Sequence, residues 1–373
     1  MSRYPKIEYV EQVLRDGLQI EDASISVDDR LLLLDLMQDA GLNAFEIGSF
    51  VSPKWTPQMA CIDEFVQRMK PRPGIKYFVL ALNERGRERA ARYPFLTVSR
   101  LGVPIADISM LRCYICDVFA KRNTNEGRAD QMARWPKVVA EAVAAGAKQA
   151  GFGFATGWGS NWVGEFTLKD HMEILEQQHR MWDEVGIPVT CIRIADEMSW
   201  AMPDKVEETV VAIKMRWPEV SYWDLHLHNA RGLALVNIYQ AIRSLTPDDT
   251  LLLEGSLGGI GGCPYCGNGR ATGMAPTEDL MHMLQGIGIN VGVDLDKLID
   301  AVWLLEKMIG RRSFGHLGNV GPRPTTKDKL YAMDMPFIET LEQAKHFKLG
   351  PKVYEGGINP WKETIKSDMR PGG

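Results

Sequence analysis

Arg15 and Asp16 adjoin in "EQVLRDGLQIED" (residues 11–22), just after an apolar-rich stretch. Far along the chain, His226 and His228 alternate in "DLHLHN" (224–229), with Asp224 before them and Asn229 after. Residues two apart on a strand point to the same side, so both imidazoles can face one point. Two imidazoles and a carboxylate suit a divalent ion (Mg2+, Mn2+, Zn2+ or Co2+) and leave positions for a chelating substrate. Asp16 is the third ligand if its strand lies near that of the histidines. Each motif alone is weak. H-x-H recurs as a structural pair, and an Arg-Asp pair is usually a solvated ion pair. Their joint placement at the ends of two strands favours the metal.

Such placement needs a scaffold that brings distant strand ends together. Short apolar runs are expected as strands at 7–14, 44–47, 76–81, 105–111, 149–154, 189–194, 222–227 and 251–255. Helical patterns lie between them at 27–40, 129–145, 168–185, 203–217 and 233–245, most closed by Gly or Pro. Eight strands alternating with helices over about 290 residues predict an α/β fold, a (β/α)8 TIM barrel, in preference to a doubly wound open sheet. A further helix is expected at 295–309. The composition then turns rich in Gly, Pro and Arg from Gly310, with a tail helix at 336–346. The division expected is a catalytic barrel over 1–299 and an extension over 300–373, a lid or interface arm. Strand ends of such a barrel carry catalytic side chains. Here they offer Arg15, Asp16 and Gln19 after the first strand, Glu46 and Ser49 at the second, and Asp196 after the sixth.

The chain has 373 residues, 45% apolar and 24% charged, with a net charge of −5. That balance is of an ordinary globular protein and lacks the basic excess of a nucleic-acid surface. No apolar run is long enough for a membrane span. Residues 1–6 carry neither a signal core nor a transit leader, so the cytoplasm is expected. Six cysteines are too sparse for a disulfide scaffold. Two C-x-x-C pairs, Cys113/Cys116 and Cys263/Cys266, could share a zinc ion. They follow strands expected on opposite sides of the barrel, which disfavours that reading. A Cys263–Cys266 disulfide stays open, and Cys263 as a reactive loop thiol leads.

At the level of motifs, "RDGLQIE", "FEIGSFVSPKWTPQMA", "HLHNARGLALVN", "GIGGCPY" and "TEDLMHMLQGIGI" resemble hydroxymethylglutaryl-CoA lyase, within the TIM-barrel metal-dependent lyases and Claisen-type synthases (the DRE-TIM metallolyases). The resemblance runs from about residue 7 to 299, and "VFAKRNTN" adds to it. It implies Asp16, His226 and His228 as metal ligands, and Arg15 as the group that binds the substrate carbonyl and steadies the enolate. It implies that Asp16, or water on the metal, moves the hydroxyl proton, and that Cys263 does acid–base work from a mobile glycine-rich loop. Glu46, Asp196 and Glu278 match polar positions in or beside the family's site. Gln19 and Ser49 are candidate substrate contacts. For Glu46 and Glu278 a structural ion pair at the barrel rim competes. The implied substrate is an acyl-CoA or a hydroxy acid, and the implied assembly a homodimer.

Three positions depart from the lyase pattern. Met274 stands where the family has an asparagine metal ligand, so that ligand is lost, becomes water, or comes from Asn268. Asn229 follows the second histidine, as in the Claisen-type synthases, where the lyases carry Asp. Asp22 replaces a lysine of the first loop. The readings therefore rank as a carbon–carbon lyase acting on a 3-hydroxy-3-methylglutaryl-CoA-like substrate, then a Claisen-type acyltransferase joining acetyl-CoA to a 2-keto acid, then a non-catalytic metal-binding paralogue. Arg311, Arg312 and His316, beyond the resemblance, could reach a carboxylate or a CoA phosphate, although ordinary surface charges are the simpler reading.

Overall fold

The computed structural model describes residues 3–81, 83–99, 108–263, 266, 273–327 and 330. The chain divides into a compact unit of residues 1–315 and a second unit of residues 316–373. The first unit is built on one sheet, of which nine strands are described: β1 (Lys6–Glu11), β2 (Ala44–Ser49), β3 (Lys76–Leu80), β4 (Leu96–Ser99), β5 (Ser109–Tyr114), β6 (Ala150–Ala155), β7 (Val189–Asp196), β8 (Tyr222–Leu227) and β9 (Thr250–Gly255). Their order is β4-β3-β2-β1-β9-β8-β7-β6-β5, and every pairing is parallel. This is chain order wrapped round on itself, with the first strand registered on the last from Lys6↔Thr250 to Glu11↔Gly255. Parallel strands linked by helices, with first beside last, make the TIM barrel.

The strands are apolar where two layers cover them. β2 and β6 are buried throughout. In β6, "AGFGFA", a Cβ on Gly153 would lie 2.0 Å from the Arg193 carbonyl of β7, so only glycine lets those backbones approach. The helix Val27–Asp39 starts at Ser26, whose Oγ accepts from the Asp29 N–H at 3.0 Å.

Four boundaries differ from expectation. The first strand stops at Glu11 because residues 13–17 wind into a wide turn, with the Gly17 N–H donating to the Gln12 carbonyl five residues back at 3.1 Å. An extra strand, β4, pairs with β3; its four residues are too few to register as a periodic pattern. The strand expected at 105–111 is found at Ser109–Tyr114, and residues 105–107 lie outside those described. The helix expected at 129–145 is two, Arg128–Ala133 and Trp135–Ala144, broken just before Pro136, which has no N–H to continue the ladder.

The domain boundary expected at 299/300 falls inside the helix Leu295–Ile309, which buries Ala301, Val302 and Leu305 in the first unit. That unit therefore runs on to Gly315. In the second unit the short helix Leu317–Val320 is described, while the expected tail helix at 336–346 lies outside the described residues.

Candidate active site

The wide turn after β1 sets Arg15 and Asp16 at the C-terminal end of the barrel. Arg15 Nε donates to Glu46 Oε2 at 2.6 Å, and Nη1 donates to Asp16 Oδ1 at 2.8 Å. Both carboxylates are buried, and Glu46 Oε1 has no hydrogen-bond partner among the described residues. Burial alone would raise the Asp16 carboxyl, but Arg15, then His228 and His226, outweigh it and hold it below the ordinary carboxylate range. Burial likewise works against the Arg15 cation, yet Glu46 and Asp16 lift its pKa further. Asp16 Oδ1 also accepts from Gln19 Nε2 at 2.7 Å, and Oδ2 from the Gly262 N–H at 3.2 Å. The glycine-rich loop thus rests on the turn. A Cβ on Gly261, at φ +98°, would lie 2.7 Å from the Asp16 carbonyl.

β8 delivers the imidazoles. His226 and His228 meet through their Nε2 atoms at 3.0 Å, and both side chains are buried. Burial, then the neighbouring His226, pushes His228 down to about 3, so it is neutral. His226 is also opposed by burial, but Glu254 raises it. Its Nδ1 lies 2.7 Å from Glu254 Oε2. Glu254 Oε2 also accepts from Gln12 Nε2 at 3.0 Å, and Oε1 from Arg193 Nη1 at 2.5 Å. Arg193 pairs with Asp224 as well. Burial would raise Glu254, but Arg193 and His226 keep it well below the ordinary range. Asp224 is instead pushed up to about 6 by burial, which the pull of Arg193 does not offset because Glu254 repels it.

The donor geometry tests the fit of a divalent ion. Two imidazole nitrogens bound at right angles, each about 2.1 Å from one ion, stand about 3.0 Å apart. The observed Nε2–Nε2 separation of 3.0 Å matches, and the carboxylate on the outer nitrogen of His226 is the support such ligands usually have. Asp16 lies close enough for both histidines to shift its carboxyl, although here its oxygens face Arg15, Gln19 and Gly262. Among the described residues, no three His, Cys, Asp or Glu side chains form a ready cluster.

The remaining sequence candidates are spread around this centre. Asp196 ends β7 and turns back on its own loop, accepting from the N–H groups of Trp200 at 3.0 Å and Ala201 at 2.8 Å; burial carries it up to about 6. Ser49 Oγ donates to the Leu80 carbonyl at 3.2 Å. Glu278 stands in the first turn of the helix Thr277–Gly286, where Oε2 accepts from the Gly258 N–H at 2.9 Å. Asn229 also acts locally: its Oδ1 accepts from the Ala234 N–H, the first of the following helix, at 3.0 Å. Met274 is buried and its backbone bridges to that of His228; Asn268 lies outside the described residues. Arg311 is bound to Glu21.

Cys263 is half-buried beside Cys266. Strand positions had set the two C-x-x-C pairs on opposite sides, but Cys116, Phe119, Met198 and Cys266 pack in one buried cluster with Cys263 against it. Loops crossing the barrel mouth close a gap that strand positions leave open. Each buried thiol has its own partner: Cys116 Sγ lies 3.0 Å from Ser160 Oγ, and Cys266 Sγ donates to the Glu197 carbonyl at 3.1 Å. Four residues of the centre were not singled out from sequence as site residues: Gln12, Arg193, Asp224 and Glu254. For Arg193, Asp224 and Glu254 the one signal was a charge within a strand otherwise apolar, as in "CIRIAD", "YWDLHL" and "LLLEG"; Gln12, neutral and just past β1, had none.

A barrel mouth with a buried guanidinium beside a carboxylate and two converging imidazoles can steady negative charge as it forms on oxygen, which breaking a carbon–carbon bond beside a carbonyl requires. The protein is a TIM-barrel carbon–carbon lyase. Over residues 6–304 the chain matches the HMGL-like family, and it belongs to that family. It is 30% identical over 310 residues to the mitochondrial hydroxymethylglutaryl-CoA lyase of Gallus gallus, covering 83% of this chain and 95% of that protein. It is 29% identical over 313 residues to the 3-hydroxy-3-isohexenylglutaryl-CoA/hydroxymethylglutaryl-CoA lyase of Pseudomonas aeruginosa, covering 83% and 95%. The solved HMG-CoA lyase of Acinetobacter baumannii, in complex with coenzyme A and 3-methylmalate, superposes with a TM-score of 0.66 at 26% identity, covering 90% of this chain and 97% of that one.

Proposed function

We propose that the protein cleaves a 3-hydroxy-3-methylglutaryl-CoA-like 3-hydroxyacyl-CoA to an acyl-CoA, such as acetyl-CoA, and a keto acid, with a divalent metal held by Asp16, His226 and His228. The observation that carries this is the meeting of the two Nε2 atoms at 3.0 Å in the barrel mouth that also holds the Arg15–Asp16 pair. Mg2+ or Mn2+ suits a site that must also bind substrate oxygens; bound there, the ion lowers the pKa of the substrate hydroxyl and orients it.

The side chains account for the rest. Asp16, held ionised by Arg15, accepts the hydroxyl proton. The oxygen's electrons form the new keto carbonyl, the carbon–carbon bond breaks, and its electron pair passes into the thioester as an enolate. Arg15, locked by Glu46 and Asp16, presents its Nη2, which donates to nothing among the described residues, to the enolate oxygen. The Cys263 thiol, on the loop resting against Asp16, returns a proton to the enolate carbon. Mass spectrometry of acyl-CoA thioesters and free hydroxy acids incubated with Mg2+- or Mn2+-loaded protein tests this. Release of acetyl-CoA supports it. Acetyl-CoA consumed only with a 2-keto acid points to the condensing reaction instead, and an unchanged rate in Asp16→Ala refutes the role of Asp16.

A further inference from the structure

Four strands converge on one carboxylate at the barrel axis. Gln12 follows β1, Arg193 lies on β7, Asp224 on β8 and Glu254 on β9. Arg193 and Asp224 are register partners across β7 and β8, so their pairing is fixed by the backbone ladder. Arg193, Asp224 and Glu254 are each buried to within a few percent of full. A buried ion cluster of this kind is seldom more stable than an apolar packing of the same volume. Stability is therefore a poor reason for its presence, and its side chains meet the site in the 2.7 Å bond from Glu254 to His226 Nδ1.

We infer that Arg193 and Glu254 are positioning residues for the metal site: Arg193 anchors Glu254, and Glu254 holds the proton of His226 on Nδ1 so that Nε2 offers its lone pair. The inference rests on the metal role proposed for His226 and His228. The hydrogen bonds make it specific. Oε2 accepts from His226 and Gln12, at 2.7 and 3.0 Å, and Oε1 accepts from Arg193 at 2.5 Å. Both oxygens must accept, which a carboxylate does and an amide cannot. In Glu254→Gln, one end of the amide would set donors against donors, at His226 or at Arg193. Facing His226, the amide N–H would push the imidazole into the opposite tautomer, with its proton on Nε2.

The test is calorimetric titration of the full-length, metal-stripped chain with Mn2+ and Co2+, read beside the visible spectrum of bound Co2+ and the nitrogen-15 signals of His226, with no substrate present. Glu254→Gln is expected to bind about 10- to 100-fold more weakly and to alter the Co2+ spectrum. Arg193→Met is expected to weaken binding about tenfold in the wild-type background and by less than about twofold in the Glu254→Gln background, because both act through one bond. Arg193→Lys is expected to recover most of the loss, and it answers the question if Arg193→Met fails to fold. Wild-type affinity in Glu254→Gln, or fully additive losses in the double variant, overturns the inference. Either result in an active lyase leaves the proposed reaction standing. Intact coupling in a protein that cleaves no acyl-CoA refutes the reaction and leaves the positioning role standing.

Discussion

Glu278 offers the most direct test of how this fold handles a buried charge. Its carboxyl lies in the first turn of the helix Thr277–Gly286, with Oε2 on the Gly258 N–H and Oε1 buried against Gly315. Burial, then the charge of Asp279, pushes it up to about 8, and the Gly258 bond offsets only part of this. The sign follows from linkage. At pH values below the ordinary carboxylate range, the group is protonated both folded and unfolded and contributes no pH dependence. As pH rises from about 4.5 to about 8, the unfolded chain releases the proton and the folded chain keeps it, so stability falls by about 1.4 kcal/mol per pH unit. Over that window the loss totals about 5 kcal/mol, and it levels off above the folded pKa. Glu278→Gln removes the titration but buries an amide, at a cost of about 1–3 kcal/mol. The variant is therefore expected to be less stable than, or equal to, the wild type near pH 5 and more stable by roughly 2–4 kcal/mol near pH 9. Urea unfolding across this range measures both curves, and taking their difference cancels every other titrating group. Curves that run parallel from pH 5 to pH 8 would refute the reasoning.

Arg15→Met should lower kcat by about 10²–10³ through loss of enolate stabilisation, with Arg15→Lys recovering part; a wild-type kcat in the methionine variant would remove Arg15 from the chemistry. Cys263→Ser should cost about 10²–10⁴ in turnover, while Cys266→Ser, whose thiol is bound to the Glu197 carbonyl, should cost less than about tenfold; equal losses would show that both act through packing. Gly261→Ala forces a Cβ to 2.7 Å from the Asp16 carbonyl at a φ of +98°. It should lower stability by about 1–3 kcal/mol and raise KM, and an unchanged Tm would mean that the loop does not rest on the turn.

Much of the site was legible because its signals are local. The R-D pair, the two-residue spacing of His226 and His228, and the glycines before Cys263 are each contained in a few residues, and strand periodicity sets which way they face. Glu46 was legible as a strand-end carboxylate, though not as the partner of Arg15 at 2.6 Å. The misses are non-local. Arg193 and Glu254 are charges within apolar strands, and nothing near them in the chain tells whether such a charge is solvated or paired across the axis. Glu278 and Asn229 match family positions by motif; in the fold their side chains accept from a loop N–H and from the first N–H of a helix.

The strand–helix alternation, the barrel class and the face on which the arginine, aspartate and histidines stand are written in the chain, because backbone periodicity and helix stops are properties of neighbouring residues. Which buried charges meet is settled by the fold. Strand register aligns Arg193 with Asp224, loops bring Cys116 to Cys266 across the barrel mouth, and the wide turn after Glu11 swings Arg15 onto Glu46. Each of these joins segments far apart in the chain, and no spacing along the sequence encodes it.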